Sequence, residues 1–412
     1  MKIRNEEYNP TEVEEAGVKF LLPEKDSKPE SEKKIGKSMS VFYNPQMTIN
    51  RDLTICVVNT YTKQRTTKLS YCDSMAATGI RAIRLLKQCQ GIEKVHINDL
   101  NPIAIETIKN NLELNQIPSN QYKIYNQDAK SLLTHFHEDT DEYIDIIDID
   151  PFGSPCQYIP AAMQSISVSE GGGLLCATAT DTPVLFGIKK EACIRKYLTS
   201  PIRTEFIKEM GTRIFIYYLA KIANLYELYI KPVISISANH FVRVFFLVRK
   251  GILGVNSNIR EFGSYQYCKS CLHRSAEKFE YVKSKMKSNI CPNCGETMIS
   301  SGLLWLGDLH NSEYMMSLEE QLADPMVQSF PSYTQMKKYV ELAKNENEFP
   351  PYFYSIPKLA DSMNITYPAP SKIQKRLIEL GYESSRTHFD PQALKTTASI
   401  GVMKKILKEF HN

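Results

Sequence analysis

The sequence predicts an α/β protein: a seven-stranded, mostly parallel sheet interleaved with helices over residues 1–254, then a smaller α+β domain over 255–412. Three observations carry this. Short β-branched runs alternate with segments of helical spacing from about residue 52 to 250, the pattern of βαβ units. Two apolar runs, Glu227–Ser237 and Phe241–Val248, flank Ala238-Asn239-His240, a link short enough to make the pair an antiparallel hairpin. Beyond about 255, cysteine, tyrosine and lysine take over and the βαβ rhythm stops.

In chain order, residues 1–50 hold an apolar run (Val18–Leu22), a lysine-rich polar loop, and then Val41-Phe42-Tyr43-Asn44-Pro45. Leu69–Asp73 reads as a strand and Gly79–Gln88 as the helix after it; Val95–Asn98 and Ile103–Asn115 repeat the unit. Lys123–Asn126, Ile144–Asp150 and Gly173–Thr180 read as further strands, and a helix from about Arg203 to Ala223 leads into the hairpin. A βαβ series closed by such a hairpin is the layout of the S-adenosylmethionine-dependent methyltransferase (Rossmann-like) fold. A dehydrogenase sheet lacks that last antiparallel strand. In the second domain Gly302–Gly307, with the only tryptophan, reads as a compact turn, and 317–345 reads as helical. Ile356–Ile365 and Ser371–Leu380 read as amphipathic helices joined by Tyr367-Pro368-Ala369-Pro370. A β-like segment around Arg386-Thr387-His388-Phe389 completes the order of a winged-helix-like module.

Composition sets the class. At 42% hydrophobic and 23% charged residues, the chain is an ordinary globular one, with no run long enough to span a membrane. The N-terminal stretch mixes both charges, unlike a secretory signal or a transit peptide, so the cytoplasm is the default expectation, with a nuclear or organellar pool left open. The net charge is +4, and residues 350–412 carry nine Lys/Arg against five Asp/Glu, so the basic bias sits at the C-terminal end. Such a bias fits a polyanion partner as well as a solvated surface.

The strand ending at Asp150-Pro151-Phe152-Gly153 is the strongest chemical signal. Open α/β sheets bind ligands at the carboxyl ends of their strands. A carboxylate and a proline carbonyl there can accept the hydrogens of an exocyclic amine, and an aromatic ring can stack on the base that carries it. The plain alternative is an Asp-Pro turn with Phe152 in the core. Asp73-Ser74-Met75-Ala76-Ala77-Thr78-Gly79 opens a helix with one glycine where a dinucleotide fingerprint has three, which argues against NAD, yet its small residues let a ligand approach. Asp99, twenty residues after Gly79, stands where a carboxylate would bind ribose hydroxyls, and Asp128 where one would accept an adenine amine. Each could equally cap a helix. Together they favour S-adenosylmethionine as the cofactor. Arg51 and Arg81 could pair with its carboxylate or lie on the surface.

Cys268-x-x-Cys271 and Cys291-x-x-Cys294, nineteen residues apart, have the spacing of a structural zinc site with four thiolates and no open position. His273 is a rival ligand. Lys283, Lys285 and Lys287 alternate between the knuckles, suited either to phosphates or to a solvated edge. The other six cysteines read as reduced core residues.

Taken together, the chain resembles the tRNA (guanine-26, N2)-dimethyltransferases. The resemblance rests on VFYNPQMTINRD (41–52), ATGIRAIR (77–84), NDLNP (98–102), QDA (127–129), DIDPFGSP (148–155), TEFIKEMGTR (204–213), the two CxxC pairs, GLLWLGDLH (302–310), and SRTHF (385–389) with Lys395-Thr396. It spans nearly the whole chain. It implies transfer of methyl groups from S-adenosylmethionine to the N2 amine of guanosine 26 in tRNA, giving mono- and dimethylguanosine. It further implies that Arg51, Arg81, Asp99, Asp128 and Ala129 contact the cofactor, with Asp73 as a further candidate. Asp150 and Pro151 would hold the target amine, and Phe42 and Phe152 the flipped base. A C-terminal tRNA-binding domain and a monomer are expected.

Overall fold

The computed structural model describes residues 10–23, 39–138, 142–169, 171–238, 240–279 and 289–411. Lys283, Lys285 and Lys287 lie outside them. A hairpin comes first, β1 (Pro10–Glu15) and β2 (Val18–Pro23). Next are α1 (Thr48–Lys63), β3 (Leu69–Asp73), α2 (Ile80–Gln88), β4 (Ile92–Asn98), α3 (Pro102–Leu114), β5 (Tyr122–Tyr125) and α4 (Ala129–Glu138). The alternation continues through β6 (Ile146–Ile149), α5 (Ile159–Ser165), β7 (Gly173–Ala179), α6 (Thr182–Leu185), α7 (Lys190–Tyr197) and α8 (Ile207–Asn224). The antiparallel pair β8 (Leu228–Ala238) and β9 (Phe241–Lys250) follows as the sequence predicts. Then come α9 (Ile252–Arg260), β10 (Phe262–Tyr267), β11 (Arg274–Lys278) and β12 (Ile299–Trp305), which form a three-stranded sheet in the order β11-β10-β12. The remainder is α10 (Ser312–Gln321), α11 (Pro325–Gln328), α12 (Tyr333–Glu346), β13 (Tyr354–Ser355), α13 (Ile356–Asp361), α14 (Pro370–Glu379), β14 (Ser384–Arg386), β15 (Ala393–Thr396) and α15 (Ile400–Glu409).

The large sheet has the order β5-β4-β3-β6-β7-β9-β8. The pairings β5-β4, β4-β3, β3-β6 and β6-β7 are parallel. Every residue of β6 and β7 is buried, as a parallel strand covered on both faces requires. The order reverses between β3 and β6, so a crevice opens beyond their carboxyl ends, where open α/β sheets take ligands. Register places Asp73, the last residue of β3, opposite Asp148 of β6.

The chain forms two compact units: Met1–Pro151, Gln157–Ala177 and Met316–Lys337 in the first, and Phe152–Cys156, Thr178–Met315 and Lys338–Asn412 in the second. In the first, α1 is buried nearly all round, including Asn50, Asp52, Thr54 and Asn59. Asp52 pairs with Arg84 at 2.7 Å and accepts the Ser332 amide at 3.0 Å. In the second, β8 has its outer edge closed by its own unit. Asn258 exchanges hydrogen bonds with Ile230, the Asn311 amide donates to the Val233 carbonyl, and the Ser235 hydroxyl donates to Leu309. Covering an edge strand in this way blocks pairing with another chain.

Three segments differ from their sequence reading. Residues 48–63 form α1, which a pattern search passes over because polar residues fill buried positions. Gly302–Gly307 is largely strand rather than turn, since β12 pairs with β10 through Trp305. Residues 317–345 are three helices, broken before Pro325 and again around Pro331, where proline removes a backbone donor.

Candidate active site

The crevice between β3 and β6 is built around one buried guanidinium. Arg81, in the first turn of α2, lies 2.8 Å from Asp148 and contacts the Asp150 carboxylate directly. Its Nη2 also donates to Asn50 Oδ1 of α1 at 3.0 Å. Asp148 is fully buried and takes a second hydrogen bond from the Tyr71 hydroxyl at 2.8 Å. Neither Asp148, which opens DIDPFGSP, nor Tyr71 has a role of its own in the sequence reading. Burial works against the Arg81 charge, but Asp148 and Asp150 raise its pKa well above the ordinary value. Arg81 is therefore a fixed cation shared between two carboxylates.

Asp73 faces the same cluster. Its Oδ2 is buried with no hydrogen-bond partner among the described residues. Burial, with repulsion from Asp148, Asp150 and Asp99, lifts its pKa from 3.8 to about 7 against the pull of Arg81. A buried carboxylate with one unpartnered oxygen at a strand tip has the right chemistry to receive a cationic ligand group. The turn after it is tight: Ala77 and Gly79 have φ of 51° and 76°, and the Ala76 and Gly79 amides donate to Asn98 and Ala76 carbonyls at 2.8 Å. A Cβ on Gly79 would stand 3.1 Å from Ile108.

Asp99 anchors that turn from β4, accepting the Ala77 amide through Oδ2 and the Asn101 amide through Oδ1, each at 2.8 Å. Burial raises its pKa in spite of these bonds. Asp128 caps α4, taking the Lys130 and Ser131 amides on Oδ1 at 2.9 and 3.3 Å. Ala129 beside it is buried.

Arg51 is locked into a second buried cluster. Its Nε donates to Glu15 Oε1 at 2.8 Å and its Nη2 pairs with Oε2 at 2.5 Å, while the guanidinium lies over the Tyr43 ring. Arg84 meets Glu15 at 2.9 Å. Burial opposes the Glu15 charge, but the two arginines outweigh it and hold its pKa at about 2. Glu15, from the first hairpin, is a residue that sequence reasoning missed; no local pattern marks a partner 36 positions away.

At the tip of β6, Asp150 is mostly covered, with 15% of its side chain exposed, and Pro151 is buried. Both belong to the first unit, as does Phe42, which is half-buried. Phe152 begins the next segment of the second unit and is 49% exposed, so the core reading of this ring does not hold.

The four knuckle cysteines converge. All their sulfur atoms lie within 4.8 Å of one another, and Cys268–Cys294 and Cys271–Cys291 stand 3.5 Å apart. Thiolates on one tetrahedral zinc are about 3.8 Å apart, so the set fits the ion. Leu272 and Gly295 take positive φ (63° and 78°) to turn the two knuckles. His273 is outside the group.

A second cluster, His310, Glu346 and His388, does not suit a metal. His310 Nδ1 accepts the Ser235 amide and His388 Nε2 accepts the Ser237 amide. Each ring must then carry its proton on the nitrogen that faces Glu346. Burial pushes His310 down to about 4, so it stays neutral in this role.

Comparisons with known proteins agree on one family. The family model described as N2,N2-dimethylguanosine tRNA methyltransferase matches residues 23–408. A Methanobrevibacter smithii protein named tRNA (guanine(26)-N(2))-dimethyltransferase is 33% identical over 403 residues, covering 98% of each chain. An Aquifex aeolicus protein named tRNA (guanine(26)-N(2)/guanine(27)-N(2))-dimethyltransferase is 34% identical over 400 residues, 97% of this chain and 96% of that one. The solved structure of Pyrococcus horikoshii Trm1 with S-adenosyl-L-methionine superimposes with a TM-score of 0.81 at 28% identity, covering 96% of this chain and 99% of the other.

Proposed function

The chain belongs to the N2,N2-dimethylguanosine tRNA methyltransferase family, and from that membership we propose that it transfers methyl groups from S-adenosylmethionine to the exocyclic N2 amine of guanosine 26 in tRNA. The observation that carries the reading is the crevice between β3 and β6. There the Asp73 carboxylate, one oxygen of which has no partner among the described residues, feels the charges of Asp148, Asp150 and Arg81, and the amine-accepting tip (Asp150-Pro151) shares the Arg81 guanidinium with Asp148.

Asp73, Asp99, Asp128, Ala129, Arg51 and Arg81 are the residues assigned to the cofactor. Asp99 accepts a backbone amide on each of its oxygens and Asp128 accepts two on one oxygen, which fixes each carboxylate for ligand hydroxyls or an amine. Arg51 and Arg81 are held by acids, so their part is to shape the pocket wall and set its charge. When bound, the cofactor supplies an electrophilic methyl on a sulfonium.

The guanine amine is a weak nucleophile because its lone pair is delocalised into the ring. Asp150 and the Pro151 carbonyl accept its two hydrogens, which orients the nitrogen and raises its electron density. Arg81 holds the Asp150 carboxylate in place as the proton acceptor. Phe42 and Phe152 are the aromatic residues assigned to the flipped base. Zinc at Cys268, Cys271, Cys291 and Cys294 is structural, since four thiolates leave no open position. The α13-α14 pair with β14 and β15 is the winged-helix-like part of the tRNA-binding domain. The protein acts as a monomer.

The test is Asp150→Ala. Methyl transfer should disappear while cofactor binding survives, and retained transfer would remove Asp150 from the mechanism. The Aquifex relative, whose name covers guanosine 27 as well, favours a second reading in which the neighbouring guanosine is also used. Mapping the methylated position in the product decides it.

A further inference from the structure

The loop that carries Phe152 is stapled at three points, all within the second unit. Gly153, at φ +87°, donates its amide to the Thr180 hydroxyl at 2.6 Å, and the Thr180 amide returns a bond to the Gly153 carbonyl at 2.9 Å. One residue on, the Ser154 hydroxyl donates to the Tyr197 hydroxyl at 3.1 Å, which donates to Asp181 at 2.7 Å. Lys196 holds the other Asp181 oxygen at 3.0 Å. Two residues further, Cys156 gives its carbonyl to the Tyr218 hydroxyl at 3.0 Å. Tyr197 is fully buried, and its ring meets Tyr218 edge-on at 5.7 Å.

We infer that Thr180, Asp181 and Tyr197 are positioning residues for methyl transfer, a clamp that sets where Phe152 stands and how the Asp150-Pro151 tip leads into it. The inference rests on the assignment of the target base to that tip. A surface loop needs no such arrangement. An exposed aromatic preceding a glycine at positive φ would sample many directions, because glycine permits them. Here the glycine amide and carbonyl are both tied to one residue at the end of β7. The next side chain is tied to the buried Tyr197 and, through it, to Asp181 and the exposed Lys196. Each tie falls within four residues of Phe152, while the groups assigned to the cofactor lie on or beside other elements, from α1 to α4. The clamp therefore acts on the base and its amine rather than on cofactor affinity.

The experiment compares Thr180→Val, which keeps the shape and removes the acceptor for Gly153, with Thr180→Ser, which keeps the hydroxyl. It is read by kcat at saturating tRNA, cofactor Kd and the thermal midpoint of the full chain. Thr180→Val should lower kcat by 10- to about 100-fold, the cost of a small misplacement at a reacting centre. Cofactor Kd and the thermal midpoint should stay near wild type, and Thr180→Ser should restore the rate. Tyr197→Phe should also lower kcat with cofactor Kd unchanged. The clamp is overturned if Thr180→Val keeps kcat within about threefold. It is overturned equally if kcat, cofactor affinity and thermal midpoint fall together and serine fails to rescue them. Asp150→Asn is measured alongside. If it is inactive while Thr180→Val is fully active, only the clamp fails. If it keeps its rate, the assignment of the tip fails and the clamp with it.

Discussion

Asp73 should make cofactor binding depend on pH in a calculable way. Its carboxyl is pushed up to about 7 by burial and by three neighbouring carboxylates, and its Oδ2 has no partner among the described residues. The cofactor carries an ammonium and a sulfonium, and only the ionised carboxylate attracts them. If binding requires the anion, the apparent Kd is the intrinsic value multiplied by one plus ten to the power (pKa − pH). That factor is about 11 at pH 6 and about 1.1 at pH 8, a tenfold tightening worth about 1.4 kcal/mol. The stability sign runs the opposite way. The folded pKa of about 7 lies above the ordinary value of 3.8, so Asp73 favours the cofactor-free fold fully below 3.8 and loses that contribution as pH rises through 7. The shift corresponds to about 4 kcal/mol. Asp73→Asn should thus bind the cofactor weakly, with this pH dependence removed, yet melt at a higher temperature than wild type at pH 8. Calorimetric titrations from pH 6 to 8 on both proteins, with thermal melts, provide the assay. The same pH dependence in Asp73→Asn, or a variant that melts lower at pH 8, would refute the reasoning.

Other consequences follow from the buried charges and thiols. Glu15→Gln leaves Arg51 and Arg84 without their shared anion and should cost about 3 kcal/mol at pH 7, read as a lower urea midpoint. In wild type the Glu15 contribution is complete above pH 4.5 and is lost as pH falls through about 2; an unchanged midpoint in the variant would contradict this. Arg81→Met should cost about 3–5 kcal/mol by stranding the buried Asp148. Arg81→Lys should not restore activity, because one ammonium cannot span Asp148 and Asp150 as a guanidinium does; full activity in the lysine variant would overturn the shared-cation view. Metal analysis should find one zinc per chain, and Cys271→Ser should lower that content while cofactor Kd is kept. A zinc-free chain grown with zinc would remove the site.

The parallel strands were legible because buried β-branched runs have few alternatives, and their aspartate tips were legible because strand ends take polar residues. The knuckles were legible from spacing alone, and the four sulfurs do converge. Helix α1 was not, since Asn50, Asp52 and Asn59 break its apolar pattern and are satisfied by Arg81, Arg84, Ser332 and the Gln88 carbonyl, all distant in sequence. Charge pairing was the other blind spot. Arg51 and Arg81 were marked as ligand contacts, but their acids, Glu15, Asp148 and Asp150, stand on other elements. Asp128 shows both readings at once, a strand-tip carboxylate that is also a helix cap. The clamp on Gly153 and Ser154 left no trace in sequence, because threonine and tyrosine at 180 and 197 look like ordinary strand-end and helix residues.

The central claim is tested most directly by methyl transfer to unmodified tRNA with labelled S-adenosylmethionine, followed by nucleoside mass spectrometry. The account predicts labelled N2,N2-dimethylguanosine that is lost when guanosine 26 is replaced. Measurable cofactor binding with no methylated guanosine would contradict it.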